Sequence, residues 1–333
     1  MLLPIIVGLA PVTTFLAALV LLDSYKLVKL WLVVLAVSCG VVAAFVAYGA
    51  NGAVLELTHV GFVNHTRYIA PLIEELLKGV VIVALIRTHR IGFLVDAAIF
   101  GFAVGAGFAM VENLVYLMEF PGATMGTWNV RGFGTAIMHG GATAIFAMVG
   151  LAMLDRSGKA ALRAFAPGFA MAAVLHSAFN HFFLSPRLST LGIAIVVPAL
   201  LYLVFERSEK ALGQWLGTGF DADTEMLHLI NSGSLSDSPV GRYLHELKDR
   251  FEGPIVADIL CYLRLYTELA LRAKGVLMMR ENGFNPPIDE PTRAKFVEMR
   301  YLEASIGKTA LLAVQPMLHM SHKDLWQLYM LGK

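Results

Sequence analysis

Two adjacent carboxylates, Glu74 and Glu75, lie in an otherwise apolar segment, residues 69–87, that also contains Lys78. A charged side chain near the centre of a bilayer costs at least about 2.5 kcal/mol. Ionisable residues are therefore retained in membrane spans mainly where they pair with one another or line a water-filled cavity. The three side chains indicate a functional site rather than a simple membrane anchor.

Three later apolar segments contain comparable polar side chains. Glu112, His139 and His176 lie in separate segments, and Asn180 follows His176 by one helical turn. Two histidines and a glutamate form many catalytic zinc sites, in which a further position holds water. We therefore expect Glu112, His139 and His176 to bind one zinc ion, with Glu75 as an exchangeable fourth ligand. A glutamate outside the ligand set would then act as general base in attack on a carbonyl.

A metal-free mechanism uses the same inventory. A Glu–His pair can polarise water directly, while the side-chain amide of Asn180 donates a hydrogen bond to the oxyanion. The residue types alone do not distinguish this mechanism from the zinc mechanism.

The choice of base depends on Lys78. Glu74 and Lys78 have the i,i+4 spacing of an intrahelical ion pair, whereas Glu75 has no such partner. An ion-paired Glu74 would be the weaker base, which favours Glu75.

The composition predicts an all-α polytopic membrane protein with a C-terminal soluble helical domain. Of 333 residues, 57% are hydrophobic and 15% are charged, against about 25% charged in soluble domains. Seven apolar segments are long enough to cross about 30 Å of hydrocarbon, and the first is expected to be a retained span rather than a cleaved signal peptide. The segments lie near residues 2–22, 29–50, 69–87, 92–118, 132–154, 164–184 and 188–206. The net charge of +1 gives no indication of nucleic-acid binding.

The short loops predict the orientation in the cell membrane. Nine Lys and Arg residues fall in loops on one side and three on the other. Because basic residues favour the cytoplasmic side, we expect the N-terminus outside and the C-terminal tail inside. The nine are Lys26, Lys29, Arg87, Arg90, Arg156, Lys159, Arg163, Arg207 and Lys210, and the three are Arg67, Arg131 and Arg187.

The chain is expected to divide near residue 206. Residues 1–206 would form a transmembrane domain, and residues 207–333, which are far more charged, a cytosolic helical domain. Within the transmembrane domain, the polar side chains on four segments lie about 6–12 Å below the outer surface at 1.5 Å per helical residue. A shared depth predicts one site near the outer face.

The polar residues fall into four motifs in chain order. Glu74-Glu75-Leu-Leu-Lys78 resembles the EExxK motif of the PrsW family of intramembrane proteases, and Phe108-Ala-Met-Val-Glu112-Asn113 resembles its FxxxEN motif. His139 and His176-Ser-Ala-Phe-Asn180 resemble its two histidine motifs. The resemblance covers about residues 65–185 and does not extend to residues 207–333.

The resemblance implies a zinc-dependent membrane protease of the wider superfamily of CAAX prenyl proteases and bacteriocin-processing proteases. Glu74 would then be the base, because the first carboxylate of the pair has that role in the superfamily, and we favour it slightly over Glu75. The implied partners are the lipid bilayer and a membrane-protein substrate such as an anti-sigma factor, cleaved near the outer face in a site-1-type signalling step.

Three other classes of protein share parts of this pattern. A proton- or ion-coupled transporter also has Glu and His in membrane spans, but usually near the midplane and in repeated halves. A CAAX-type peptidase acts on prenylated cytosolic tails, on the side opposite to the expected site. A non-catalytic membrane scaffold is the third alternative.

Overall fold

The computed structural model describes residues 2–157, 162–318 and 322–331, and every regular element among them is helical. The all-α prediction is therefore confirmed. The chain divides into two compact units, Met1–Glu209 and Lys210–Lys333.

The first unit is built from long apolar helices joined by short connections. Two π-helical turns, π1 (His65–Ile69) and π2 (Val130–Thr135), precede α4 and α7. The helices are α1 (Leu2–Leu21), α2 (Leu30–Thr58), α3 (Phe62–Asn64), α4 (Ala70–Arg87), α5 (Leu94–Glu119), α6 (Met125–Asn129), α7 (Ala136–Ser157), α8 (Ala166–His181) and α9 (Pro186–Asn231).

Six helical stretches of the described chain are long and apolar enough to cross a membrane: α1, α2, α5, α6 to α7, the stretch ending with α8, and α9. The remaining expected span corresponds to α4, whose 18 residues include Glu74, Glu75 and Lys78. With these three charged residues, α4 is less apolar than the other six stretches. Its 18 residues nevertheless extend about 27 Å at 1.5 Å per residue, close to the thickness of the hydrocarbon layer. The last expected span ends at residue 206, but α9 continues to Asn231.

Helix α5 lies at the centre of the first unit and is buried along most of its length. It packs against α2 on one side and α7 on the other. A Cβ atom at Gly105 would lie 2.3 Å from the carbonyl oxygen of His139, so only glycine permits this approach of α5 to α7. Small residues allow such contacts between membrane helices, and here they bring two motif-bearing helices together.

The second unit has its own apolar core, formed by residues such as Ile259, Leu269 and Leu302. Its helices are interrupted after Asn231 and again between Glu281 and Glu290. Its helices after α9 are α10 (Pro239–Leu247), α11 (Gly253–Glu281), α12 (Glu290–Val314) and α13 (His322–Leu331).

Candidate active site

The two carboxylates of α4 have different surroundings. Glu75 is buried, and its Oε1 accepts hydrogen bonds from Lys78 Nζ at 2.5 Å and, across to α8, His176 Nδ1 at 2.9 Å. Glu74 is 14% exposed, and its Oε1 accepts from Asn51 Nδ2 of α2 at 3.1 Å. The predicted Glu74–Lys78 ion pair is therefore wrong: Lys78 turns towards the buried face and pairs with Glu75 at i,i+3.

Lys78 is fully buried and connects α4 to α5 and α7. Its Nζ lies 3.0 Å from His139 Nδ1 and 4.7 Å from the centre of the Phe108 ring. An ammonium group over an aromatic face is attracted by the ring quadrupole. Phe108, the first residue of the FxxxEN motif, thus lies against the Lys78 cation.

His139 is buried, and each ring nitrogen has a partner. Its Nε2 lies 2.8 Å from Glu112 Oε2 on α5, while its Nδ1 faces Lys78. Because a lysine ammonium can only donate, Nδ1 is the acceptor and Nε2–H donates to Glu112. This tautomer is assigned from the hydrogen-bond partners.

His176 is the counterpart of His139 on α8. Its Nδ1–H donates to Glu75, which leaves the lone pair on Nε2, and Nε2 lies 3.8 Å from Glu74 Oε2. The imidazole rings of His139 and His176 meet edge to face, with their centroids 4.6 Å apart. His176 thus has Glu75 on one nitrogen and Glu74 near the other, whereas the two nitrogens of His139 have Glu112 and Lys78 as partners.

One donor set among the described residues is compact enough to hold a metal ion. Glu74, His139 and His176 each offer one ligand atom, and these atoms lie within 4.8 Å of one another. His₂Glu is a common zinc ligand set. Glu75 Oε2 is buried beside this group and has no hydrogen-bond partner among the described residues, as expected at a site that binds water or an ion.

Glu112, the carboxylate expected to bind the metal, contacts His139 and Arg131. Glu112 does not join the three-residue donor group; its Oε2 lies 2.8 Å from His139 Nε2, and its Oε1 lies 3.4 Å from Arg131. The compact donor group thus contains Glu74 where the sequence predicts Glu112, alongside the same two histidines. Since Glu74 and Glu112 are on different helices, helical spacing alone does not predict which histidine each carboxylate approaches.

Asn180, the expected donor to an oxyanion, has a backbone partner. One N–H of its side-chain amide donates to the carbonyl oxygen of Thr66 in π1 at 2.9 Å.

Three polar residues that contact the site were not assigned a role from sequence. Asn51 binds Glu74, although the predicted second span ends one residue before it. Arg131 was counted as a loop residue, yet it lies in π2, donates from Nε to Asn113 Oδ1 at 2.9 Å and stacks on Tyr116 at 4.2 Å. Asn113 also donates to the carbonyl of Gly8. Asn113 belongs to the FxxxEN motif, but no sequence signal connects Asn51 or Arg131 to the site.

A network of carboxylates, imidazoles and one ammonium group, most of them buried and contributed by four helices, is typical of a membrane-embedded hydrolytic site. A family model for PrsW family intramembrane metalloproteases matches residues 28–205, which is more than half of the chain. The chain therefore belongs to the PrsW family of intramembrane metalloproteases, and it is a multi-pass membrane metallopeptidase. No curated protein and no solved structure matches the chain.

Proposed function

We propose that the chain cleaves membrane-anchored protein substrates at a centre formed by Glu74, His139 and His176, close to the outer face of the cell membrane. The observation that carries this proposal is the convergence of three ligand atoms within 4.8 Å. The first unit would be the protease domain, and the second a cytosolic helical domain.

The chemistry of the donor set fits a divalent metal ion. His139 would offer Nδ1, His176 would offer Nε2, and Glu74 would offer a carboxylate oxygen. A zinc ion held by these three atoms would polarise the scissile carbonyl and lower the pKa of water. His139 would bind once Lys78 gives up its contact with Nδ1, and Lys78 would retain its ion pair with Glu75.

Glu75 and Glu112 each bind the ring nitrogen of a histidine that would not bind the metal. A carboxylate on the far ring nitrogen fixes the tautomer and the ring orientation of a metal-binding histidine. Glu75 does this for His176, and Glu112 does it for His139. The Arg131 side chain, which is itself hydrogen-bonded to Asn113, holds Glu112 in place.

Glu75 is the general base of this proposal. Its Oε1 is fixed by Lys78 and His176, while its buried Oε2 has no partner in the part of the chain that the structure describes. Oε2 accepts a proton from water as the water oxygen attacks the peptide carbonyl carbon. The same proton then passes to the nitrogen of the leaving amine as the C–N bond breaks. Glu74, favoured as base from the sequence, is assigned to the metal instead.

The expected orientation supports an outer-face site. In that orientation, Glu74 lies near the outer end of α4 and His176 near the outer end of α8. Substrates with a single membrane span and a peptide bond near that surface are the class that fits, and a membrane-anchored anti-sigma factor belongs to it. Cleavage there would be the first cut in a signalling cascade.

Proteolysis by the purified full chain, reconstituted in liposomes with a single-span protein substrate, tests the proposal. We expect cleavage near the end of the substrate span that corresponds to the outer face of the cell membrane. A chelator should abolish cleavage, and added zinc should restore it. The double variant His139→Ala/His176→Ala should lose both zinc and cleavage. Glu56→Gln, at an exposed position on α2, serves as control. Unchanged zinc content in the double variant would rule out the ligand set.

A further inference from the structure

The backbone of π1 leaves carbonyl groups without their usual helical donors where it meets α4. The N–H of Ala70 donates to His65, five residues back, instead of Thr66. Residue 71, the next possible donor to Thr66, is proline, which has no N–H. Pro71 also removes the i,i+4 donor of Arg67. The carbonyl of Thr66 therefore receives a hydrogen bond from neither residue 70 nor residue 71. The carbonyl of Arg67 lacks its usual donor, the N–H of residue 71.

Two side chains of α8 supply the missing donors. Ser177 Oγ donates to the carbonyl oxygen of Arg67 at 2.6 Å, and Asn180 Nδ2 donates to that of Thr66 at 2.9 Å. Both contacts are partly buried. A buried backbone carbonyl in an apolar environment needs such a partner, so these bonds tie the start of α4 to α8.

The same pair of helices carries the Glu75–His176 contact. Ser177 follows His176 directly, and Arg67 lies two helical turns before Glu74 on the continuous stretch from π1 into α4. A shift of α4 along α8 would therefore change the Glu75–His176 distance of 2.9 Å. A misplacement of about 1 Å at a reaction centre can cost about 100-fold in rate.

We propose that Ser177 and Asn180 are positioning residues that clamp α4 to α8 through the carbonyl groups exposed by Pro71. This α4–α8 clamp, made of Ser177, Asn180 and the carbonyls of Thr66 and Arg67, sets the register in which Glu75 meets His176. Asn180 acts on the reaction through this register and not as a donor to the oxyanion. The inference rests on the proposed function only in taking Glu75 and His176 as parts of the reaction centre.

Proline makes the clamp testable by rescue. Pro71→Ala restores an N–H that can reach the carbonyl of Arg67 or Thr66 from within the same helix. Ser177→Ala should lower kcat about 10- to 100-fold with KM little changed, and Ser177→Thr, which keeps the hydroxyl, should retain activity. The double variant Ser177→Ala/Pro71→Ala should recover most of kcat, and Asn180→Ala should be rescued by Pro71→Ala in the same way. Ser38→Ala is the matched control, because Ser38 also donates to a carbonyl, that of Val34, but within its own helix.

Thermal unfolding of the same variants in detergent gives a readout that does not need proteolysis. The destabilisation by Ser177→Ala should be smaller in the Pro71→Ala background than in the wild type. Non-additivity of this kind with no detectable cleavage by any variant would support the clamp and contradict the proposed function. Wild-type kcat in Ser177→Ala would overturn the clamp. Failure of Pro71→Ala to rescue Asn180→Ala, with rescue of Ser177→Ala, would return Asn180 to the oxyanion role and overturn its place in the clamp.

Discussion

His176 Nδ1 lies 2.9 Å from Glu75 Oε1, across 101 positions of the sequence. This contact joins the first and last motifs of the site and leaves His176 Nε2 free to face Glu74. It also gives two neighbouring carboxylates different partners. Glu75 is held by His176 and Lys78, whereas Glu74 lies in the donor group with the two histidines.

The first prediction separates ligand from base. Glu74→Gln should lower zinc affinity by more than about 100-fold, since loss of a ligand exceeds the effect of losing an outer hydrogen-bond partner. Glu75→Gln should bind zinc at saturating concentration but cleave substrate about 10²–10⁴-fold more slowly, because it lacks the base. Metal analysis and single-turnover cleavage measure the two effects, with Glu56→Gln as control. Retained zinc in an inactive Glu74→Gln would exchange the two roles.

The second prediction concerns the buried cation. Lys78→Met should destabilise the fold by about 3–5 kcal/mol, because it leaves the buried Glu75 carboxylate without its ion-pair partner. The double variant Lys78→Met/Glu75→Gln should be more stable than Lys78→Met alone. Thermal unfolding in a mild detergent measures both. Equal stability of Lys78→Met and wild type would show that Glu75 does not depend on this pair.

The third prediction concerns Arg131. Both Arg131→Ala and Arg131→Lys should lower zinc affinity, by about 10- to 100-fold. A lysine cannot reproduce the guanidinium contacts with Asn113, Glu112 and the Tyr116 ring. Zinc titration with the purified variants tests this. If Arg131→Lys binds zinc like the wild type, a positive charge at position 131 is enough to hold Glu112, and the guanidinium geometry is not needed.

The fourth prediction concerns acid stability in the second unit. Burial would raise the pKa of Glu268, but hydrogen bonds from Lys295 and Arg264 lower it below the ordinary value of 4.5. A lowered pKa contributes stability above the unfolded-state value, and that contribution is lost as the pH falls through the folded-state pKa. Unfolding temperatures below about pH 4.5 should therefore fall less steeply for Glu268→Gln than for wild type. Glu298→Gln, at an exposed position on α12, should behave like wild type.

The fifth prediction concerns orientation. A reporter fused after Lys333 should be cytoplasmic, and one inserted between Phe120 and Thr124 should be outside, because basic residues favour the cytoplasmic loops. Paired cytoplasmic and export-dependent reporters measure the two positions. An exported C-terminal reporter would place the reaction centre near the inner face and contradict the proposed side of cleavage.

The sequence by itself determined the class of fold and the inventory of the site. Long apolar segments have few folded alternatives in a membrane, since helices satisfy their own backbone hydrogen bonds. Charged residues in such segments are costly enough to mark a site, so Glu74, Glu75, Glu112, His139 and His176 could be selected one by one. Their common depth predicted that they meet, and the structure brings them into one network.

Only the tertiary structure decided the pairing within that network. Helical spacing assigns Lys78 to Glu74, but α7 places His139 next to Lys78 and draws the ammonium to the side of Glu75. Spacing likewise does not show that the compact donor group contains Glu74 with the two histidines, or that Glu112 pairs with His139. Local sequence fixes which residues share a face of one helix, whereas distances between helices depend on contacts such as that of Gly105 with His139. The partners of each polar group are therefore set by packing between segments far apart in the chain.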